Sequence, residues 1–259
     1  MLNQTCIISS NIRFASEEDG PNTWHNRKEF LASVINHHLP DILCSQEGRK
    51  PQILEFESSF PHLSLIDSHR DWILERMYPC IYLNLTKFEC QDSGDFWLSE
   101  TPFQAGSKSF NSAFPRLCTW AKVKNNKSFY IFNTHLDHLQ TETRIQQAKV
   151  LKKLISQINS ERLPYILCGD FNEGPTEAVH NELLSGELND PWLELKLPEE
   201  TSFHRFQKNF SQGKRIDWIL SSKEITVPHI LLDKSEKAPL FPSDHYPVIA
   251  HFSLIKDNL

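Results

Sequence analysis

The sequence lacks several features that would assign it directly to a functional class. No run of about eighteen apolar residues occurs among its 259 residues, so no segment predicts a membrane-spanning helix. Its six cysteines form no C-x-x-C pair and most lie in apolar segments, which predicts reduced, buried thiols. A basic excess is also missing, because the formal net charge is −6. This balance disfavours a protein that binds long nucleic acid through its overall charge.

The chain also lacks internal repeats, low-complexity tracts and any linker between two apolar regions. Its length falls within the range that large α/β folds occupy as one unit. We therefore expect a single domain over residues 1–259 with a sizeable core. Residues 1–10 show no basic segment followed by a long apolar core, so we expect a soluble cytoplasmic protein without membrane contact. The oligomeric state is left open.

An apolar run that ends in polar residues is the most informative segment. Residues 165–168 lie between Pro164 and Gly169, which predicts a short central strand buried on both faces. Asp170 and Asn172 follow two residues apart, so both point to the same side of the sheet. Open α/β structures carry their chemistry at such strand ends. The alternative is a simple turn with a solvated aspartate.

Several other predicted strands end in the same way. Asn11, Glu47 and His135 follow apolar runs, Asp217 lies within one, and Asp244-His245 precedes the last one. Oxygen ligands of this kind suit a hard divalent cation such as Mg²⁺. Glu47 has an alternative role as an acid near the start of a helix predicted at residues 51–59. The H-x-x-H spacing at His135 could indicate a zinc site, but no third ligand follows at the required spacing.

Further residues are candidates for substrate contacts. Arg116 begins an alternating strand, where its guanidinium could clamp an anion or form a surface ion pair. Tyr82 lies in a predicted strand at residues 80–85, where its hydroxyl could reach a phosphate or its ring could pack in the core. His204 belongs to the one cluster in the irregular residues 186–213 that could face a substrate. Residues 72–74 are predicted as an additional short strand.

Taken in order, these motifs resemble the endonuclease/exonuclease/phosphatase superfamily, whose members include DNase I. The resemblance is carried across the chain by Asn11, Ser-Gln-Glu ending at Glu47, Asn-Thr-His ending at His135, Gly169-Asp170-Phe171-Asn172, Arg215-Ile216-Asp217-Trp218 and Ser243-Asp244-His245-Tyr246-Pro247-Val248. It implies a DNase I-like α/β fold: a four-layer sandwich of two mixed β-sheets packed face to face, with helices outside. Within the superfamily the chain looks most like a bacterial-type branch of metal-dependent hydrolases.

The resemblance also implies roles at the metal. Glu47 resembles the principal carboxylate ligand, with Asn11 and Asp244 near the same ion. Asp170 resembles the acid that orients or deprotonates the attacking water, and Asn172 the amide that holds this water and a phosphate oxygen. The implied cofactor is Mg²⁺, which Mn²⁺ can replace.

The phosphate contacts follow in the same way. His245 resembles the imidazole on the scissile phosphate, with Asp217 behind it, and His135 and Arg116 resemble further contacts. Members that cleave abasic DNA commonly carry an acid two positions after the first Asn, whereas this chain has Arg13 there. This departure argues against abasic-site cleavage and makes Arg13 a candidate contact for an anionic substrate.

The sequence therefore predicts a Mg²⁺-dependent phosphoesterase in which a positioned water attacks the phosphorus. The acidic balance favours a small or medium-sized phosphorylated compound, such as a nucleotide, as its substrate. A DNA or RNA nuclease is the alternative. A catalytically idle binding scaffold is a third hypothesis, but such a protein would be expected to have lost at least one of the candidate metal-binding or catalytic residues.

Overall fold

The protein is described here from a computed structural model, which covers residues 4–208, 210 and 212–255. The helices are α1 (Trp24–His37), α2 (Lys50–Glu57), α3 (Thr141–Ile158), α4 (Ala178–Leu184) and α5 (Pro191–Glu194), with a 3₁₀ helix at Glu17–Asn22. The strands are β1 (Thr5–Asn11), β2 (Ile42–Gly48), β3 (Ser64–Leu65), β4 (Tyr78–Leu83), β5 (Glu89–Trp97), β6 (Leu117–Lys124), β7 (Ser128–His135), β8 (Tyr165–Asp170), β9 (Leu188–Asn189), β10 (Asp217–Ser222), β11 (Ile225–Leu232) and β12 (Val248–Leu254).

The strands form two mixed sheets of six strands each. The first sheet has the order β11-β12-β1-β2-β4-β3 and the second the order β5-β6-β7-β8-β10-β9. β1 pairs in parallel with β2, and β7 pairs in parallel with β8. The remaining neighbours are antiparallel. This arrangement confirms the predicted α/β fold with two mixed sheets and flanking helices.

Three clusters of buried apolar side chains separate the four layers. One cluster lies between the sheets and includes Ile7 of the first sheet and Ile131 of the second. A second joins the first sheet to α1 and α2, and contains Phe56. The third joins the other sheet to α3 and α4, and contains Phe132 and Leu151. Each sheet is thus buried on both faces, which explains why its central strands read as continuous apolar runs.

Polar side chains connect the two sheets close to the ends of β2 and β7. Asn133 is fully buried and donates hydrogen bonds to the carbonyls of Ser45 (2.9 Å) and Cys80 (2.8 Å). Its Oδ1 accepts a hydrogen bond from Nε2 of Gln46 (2.8 Å). Because these groups are buried, losing a partner would leave an unsatisfied polar atom. The network therefore fixes the position of one sheet edge relative to the other.

The predicted strand at residues 72–74 is wrong. These residues form a loop, in which Trp72 packs against Arg70 with the guanidinium carbon 4.8 Å from the ring centroid. The amide of Ile73 donates to the hydroxyl of Tyr78 (2.8 Å), so a side chain replaces a strand partner. Trp72 and Ile73 are only partly buried and Leu74 is 67% exposed, so these residues lack the burial of a core strand, which a pattern of hydrophobicity does not reveal.

The reduced state predicted for the cysteines fits the structure, in which all six are free and only Cys90 is less than fully buried. In the part of the chain that the structure describes, no helix has both the length and the apolarity needed to cross a membrane.

Candidate active site

The two parallel strand pairs and β10 bring their polar ends to one edge of the sandwich. Asn11 ends β1 and Glu47 lies at the end of β2, while His135 and Asp170 are direct partners at the ends of β7 and β8. Asp217 begins β10 directly opposite Asp170. The predicted clustering of these strand ends is therefore present in the structure.

Gly169 permits the close approach of β7 and β8 just before Asp170. Its φ angle is +141°, and a Cβ atom here would lie 1.9 Å from the carbonyl oxygen of Thr134. Any side chain would push β8 away from β7. The glycine thus holds His135 and Asp170 at neighbouring positions.

Asp170 lies at the centre of the cluster. Its Oδ2 accepts a hydrogen bond from Nδ2 of Asn11 (2.9 Å), and the same nitrogen donates to Oε1 of Glu47 (3.1 Å). Nε2 of His135 lies 3.4 Å from Oδ2 of Asp170, and Nε2 of His245 lies 3.8 Å from it. Two carboxylates and two imidazoles therefore surround one small volume. Burial and the Asp217 carboxylate raise the pKa of Asp170 to about 7.

The cluster contains two groups that could hold a cation. Ligand atoms of Glu47, His135 and Asp170 lie within 4.8 Å of one another, as do those of Asp170, Asp217 and His245. Carboxylates and a carboxamide suit a hard cation such as Mg²⁺. The amide of Asn11 donates to both Glu47 and Asp170, so these two carboxylates converge on one point, where a positive charge would be stabilised. The residue types therefore fit a divalent metal.

Asp244, predicted near the metal, belongs to neither group. One of its oxygens lies 4.0 Å from Nε of Arg13, and the other accepts a hydrogen bond from Oγ of Ser243 (3.4 Å). Burial raises the pKa of this carboxyl group. Asp244 is thus next to the site but turned toward Arg13, so its role as a metal ligand stays a prediction.

His245 and Asp217 form a buried ion pair. Nδ1 of His245 lies 2.8 Å from Oδ2 of Asp217, which also accepts a hydrogen bond from the hydroxyl of Ser202 (2.6 Å). Burial opposes protonation of His245, but the Asp217 carboxylate outweighs it and raises the pKa of His245 to about 10. The imidazole is therefore positively charged at neutral pH, with Nε2 directed at Asp170.

His135 has the opposite protonation state. Burial and the nearby guanidinium of Arg116 hold its pKa well below the usual value, so the ring is neutral. Its Nε2 lies 3.0 Å from Nδ2 of Asn172, and the Asn172 amide also donates to the carbonyl of Leu136 (3.0 Å). The backbone N–H of Asn172 donates to Oδ1 of Asp170 (2.9 Å). These bonds hold Asn172 beside Asp170.

Three residues of the site adopt positive φ angles, which are uncommon for residues with side chains. The angles are 52° for Arg13, 71° for Glu47 and 51° for Asn172. Strained backbone of this kind persists only where surrounding contacts enforce it, and it concentrates at functional sites. For Glu47 such contacts are the hydrogen bonds from Asn11 and from the backbone N–H of Phe14 (3.3 Å). The carboxylate is thereby directed into the cluster and does not cap α2.

Arg116 lies beside this cluster and is almost fully buried. It lines a small cavity together with Glu47 and His135. Among the residues that the structure describes, no carboxylate lies within ion-pair distance of its guanidinium, and its Nε has no hydrogen-bond partner. The alternative of a surface ion pair is therefore excluded, and a buried positive charge remains available to an anion.

Arg13 is also close to the site, but its charge is already paired. Its Nη2 and Nε contact the two oxygens of Asp19 at 3.0 and 3.2 Å. A guanidinium in such a two-point contact has less capacity to bind a substrate anion. Its predicted role as a substrate contact stays a prediction.

Two predicted substrate contacts are corrected by their burial. Tyr82 is fully buried, and its ring packs edge-on against Phe56 of α2, so the alternative of a core tyrosine applies. His204 is also fully buried, and its ring stacks on Tyr246 with centroids 4.1 Å apart. Neither side chain reaches the surface of the site. Residue type and position along the chain do not reveal the direction of a side chain.

The sequence missed two residues that support the site. Ser202 holds Asp217 through its hydroxyl and also receives hydrogen bonds from the backbone of Ile216 and Asp217. The sequence indicates a polar cluster here, but residue type favours His204 over Ser202 as its functional member. Asp137, in the segment after His135, is fully buried and accepts four hydrogen bonds. It belongs to the polar cluster that ends a predicted strand, but residue type alone does not distinguish it from a solvated aspartate.

Comparisons with known proteins agree with this geometry. A crystal structure of an endonuclease/exonuclease/phosphatase from Bacteroides vulgatus superposes with a TM-score of 0.89 at 27% identity, covering 97% of this chain and 99% of the other. A mannosyl-6-phosphatase from Bacteroides thetaiotaomicron gives a TM-score of 0.86 at 27% identity, with coverages of 96% and 100%.

Among curated proteins, nocturnin from Rattus norvegicus is 26% identical over 260 residues, which span 90% of this chain and 58% of nocturnin. The chain therefore covers little more than half the length of that relative. The sequence model of the protein family described as "Endonuclease/Exonuclease/phosphatase family" matches residues 8–245, which include every residue of the cluster. The chain belongs to the endonuclease/exonuclease/phosphatase family, whose members are metal-dependent hydrolases of phosphoester bonds.

Proposed function

We propose that the protein is a Mg²⁺-dependent phosphoesterase that hydrolyses a small or medium-sized phosphorylated substrate. The supporting observation is the convergence of opposite charges at one sheet edge. Carboxylates of Glu47 and Asp170 lie on one side, where they suit a cation. The imidazolium of His245 and the guanidinium of Arg116, which has no carboxylate partner among the described residues, provide positive charge for an anion. A phosphate ester together with a divalent cation complements both sets.

Each residue then has a role in the hydrolysis. Glu47, with Asn11 near it, would hold the metal ion, which neutralises charge on phosphate oxygens. Asp170 accepts a proton from the attacking water, and Asn172 orients this water through its amide. His245 donates a hydrogen bond from Nε2 to a phosphate oxygen, while Asp217 keeps it protonated. His135, which is neutral, positions Asn172.

The substrate class is supported by the charges around the site. Arg13 is paired with Asp19, and the formal net charge is −6, so neither this guanidinium nor the overall charge favours binding along a polynucleotide. The similarity to a mannosyl-6-phosphatase over nearly the full length of both chains supports a phosphorylated sugar or a compound of similar size. A nuclease uses the same chemistry and is distinguished by experiment.

The test is hydrolysis of a panel of sugar phosphates, nucleotides, inositol phosphates, phosphodiesters and oligonucleotides, with Mg²⁺, Mn²⁺ or a chelator. Turnover of a small phosphate ester that requires the metal is expected. Asp170→Asn and His245→Ala should remove nearly all activity, while Asp92→Asn, which changes an exposed aspartate of β5, should not. Activity confined to oligonucleotides would assign a nuclease, and activity retained in both site variants would contradict the proposed roles.

A further inference from the structure

The loop between β5 and β6 presents a half-exposed aromatic ring next to the candidate active site. Phe114 is 46% exposed, and its ring stacks on the ring of His138 with centroids 5.9 Å apart and an interplanar angle of 18°. The guanidinium carbon of Arg116 lies 5.9 Å from the centroid of Phe114, and its Nη2 lies 3.4 Å from Nδ1 of His138. The stacked rings of Phe114 and His138 thus lie beside the guanidinium of Arg116, which would receive the phosphate.

The buried carboxylate of Asp137 fixes this ring pair. Its Oδ2 accepts hydrogen bonds from the hydroxyl of Ser112 (3.1 Å) and the backbone N–H of Ala113 (2.7 Å). Its Oδ1 accepts one from the backbone N–H of Leu139 (2.9 Å). The segment just before Phe114 and the segment just after His138 are therefore tied to the same side chain. Asp137 takes no direct part in the proposed hydrolysis and acts by holding these two segments in place.

Further contacts anchor the loop to α3. Gln147 accepts a hydrogen bond from the backbone N–H of Asp137 (2.8 Å) and donates one to the hydroxyl of Ser112 (3.1 Å). Thr143 donates to the carbonyl of Phe110 (2.6 Å). Because the frame is held before a ligand arrives, little conformational entropy is lost when a ligand packs on the ring. A single exposed phenylalanine is ordinary, whereas one held in such a frame beside an unpaired buried cation is not.

We infer that Phe114 determines substrate specificity: its exposed face packs against a ring with an apolar face in the organic part of the phosphate ester. The phosphate then lies toward Arg116, and the organic part extends along Phe114 and His138. A nucleobase and a hexose ring both present such a face. The inference rests on the proposed function only in taking a phosphate ester as the ligand.

The test compares the binding of two small probes by calorimetry to the Mg²⁺-loaded protein. Phenylphosphonate and methylphosphonate share the phosphonate group, but only the first carries a ring. The wild type should bind phenylphosphonate more tightly, and Phe114→Ala should reduce this preference about 2- to 10-fold. Phe114→Tyr should preserve it. Phe103→Ala is the matched control, because Phe103 lies in the same loop and is 77% exposed.

The absence of a preference in the wild type, an unchanged preference in Phe114→Ala, or an equal loss in Phe103→Ala would overturn the inference. Competition by a nucleoside monophosphate and by a hexose phosphate distinguishes a nucleobase from a sugar ring. The competitor that binds more weakly to Phe114→Ala than to the wild type is the one whose ring packs on Phe114. Loss in neither also overturns the inference. Hydrolysis is measured separately, so a protein that keeps the ring preference without ester turnover would refute the phosphoesterase proposal alone.

Discussion

Replacing Asp217 by Asn removes one negative charge from the buried pair with His245 and keeps the side-chain volume. In the wild type, the carboxylate lies 2.8 Å from Nδ1 of the imidazole and accepts the hydroxyl of Ser202 at 2.6 Å. All three side chains are buried, so water cannot replace the lost charge. The substitution therefore tests whether the imidazolium form of His245 is needed for the reaction.

The magnitude has two parts. The carboxylate is the main cause of the raised pKa of His245, about 10, while burial opposes it. Without it, the pKa falls to about 6.5 or lower, so at pH about 7.5 about a tenth of the imidazole stays charged. A hydrogen bond to a charged group contributes about 1.5–3 kcal/mol, of which the neutral ring loses part. The neutral ring therefore adds little activity, so kcat/KM at this pH follows the charged fraction and should fall about 10-fold.

The assay is the pH dependence of kcat/KM for an aryl phosphate with saturating Mg²⁺. Because the folded-state pKa of His245 is raised, the ion pair stabilises the protein fully below pH about 6.5 and is lost as pH rises through about 10. The wild-type imidazole thus stays charged up to pH about 10, whereas the imidazole of the variant loses its proton above pH about 6.5. The variant should approach wild-type activity in acid and fall behind as pH rises. Asp92→Asn is the control, and urea unfolding verifies that the variant folds. A folded variant with a constant activity ratio across the pH range would refute this reasoning.

Two further predictions concern the metal and the strand contact. Glu47→Gln should weaken Mg²⁺ binding measured by calorimetry. In the wild type the Mg²⁺ affinity should rise with pH through about 7, because the raised pKa of Asp170 makes the cation compete with a proton. A pH-independent affinity would contradict this. Gly169→Ala should lower the free energy of unfolding by more than about 3 kcal/mol, since its Cβ would lie 1.9 Å from the carbonyl oxygen of Thr134. Wild-type stability in urea would contradict the close approach of β7 and β8.

Much of the layered fold could be predicted because strands buried on both faces are continuous apolar runs in the sequence. The strand β8 reads as an apolar run between Pro164 and Gly169, and α3 as an apolar stripe at helical spacing. These signals depend on neighbouring residues only. The apolar residues 72–74 predict a strand but form a loop, in which Trp72 contacts Arg70 and Tyr78 and Leu74 is exposed; the local pattern does not contain these contacts.

The chemistry of the site could also be predicted in part. Acids, amides and histidines at strand ends indicated a metal and phosphate site, and the structure brings Glu47, His135 and Asp170 within 4.8 Å. Their catalytic roles stay predictions. Residue type failed at Tyr82 and His204, whose rings are fully buried away from the surface of the site.

The types of residue in the site and the strand ends at which they occur follow from the amino-acid sequence, because hydrophobic runs and the polar residues that end them are local properties. Which charges lack a partner depends on how the chain folds. Arg13 is paired with Asp19, whereas Arg116 is buried without a carboxylate partner among the described residues. Only the fold placed Phe114 beside that cation through the frame of Asp137. Such pairing depends on contacts between residues distant in sequence, whose geometry is set when the two sheets pack.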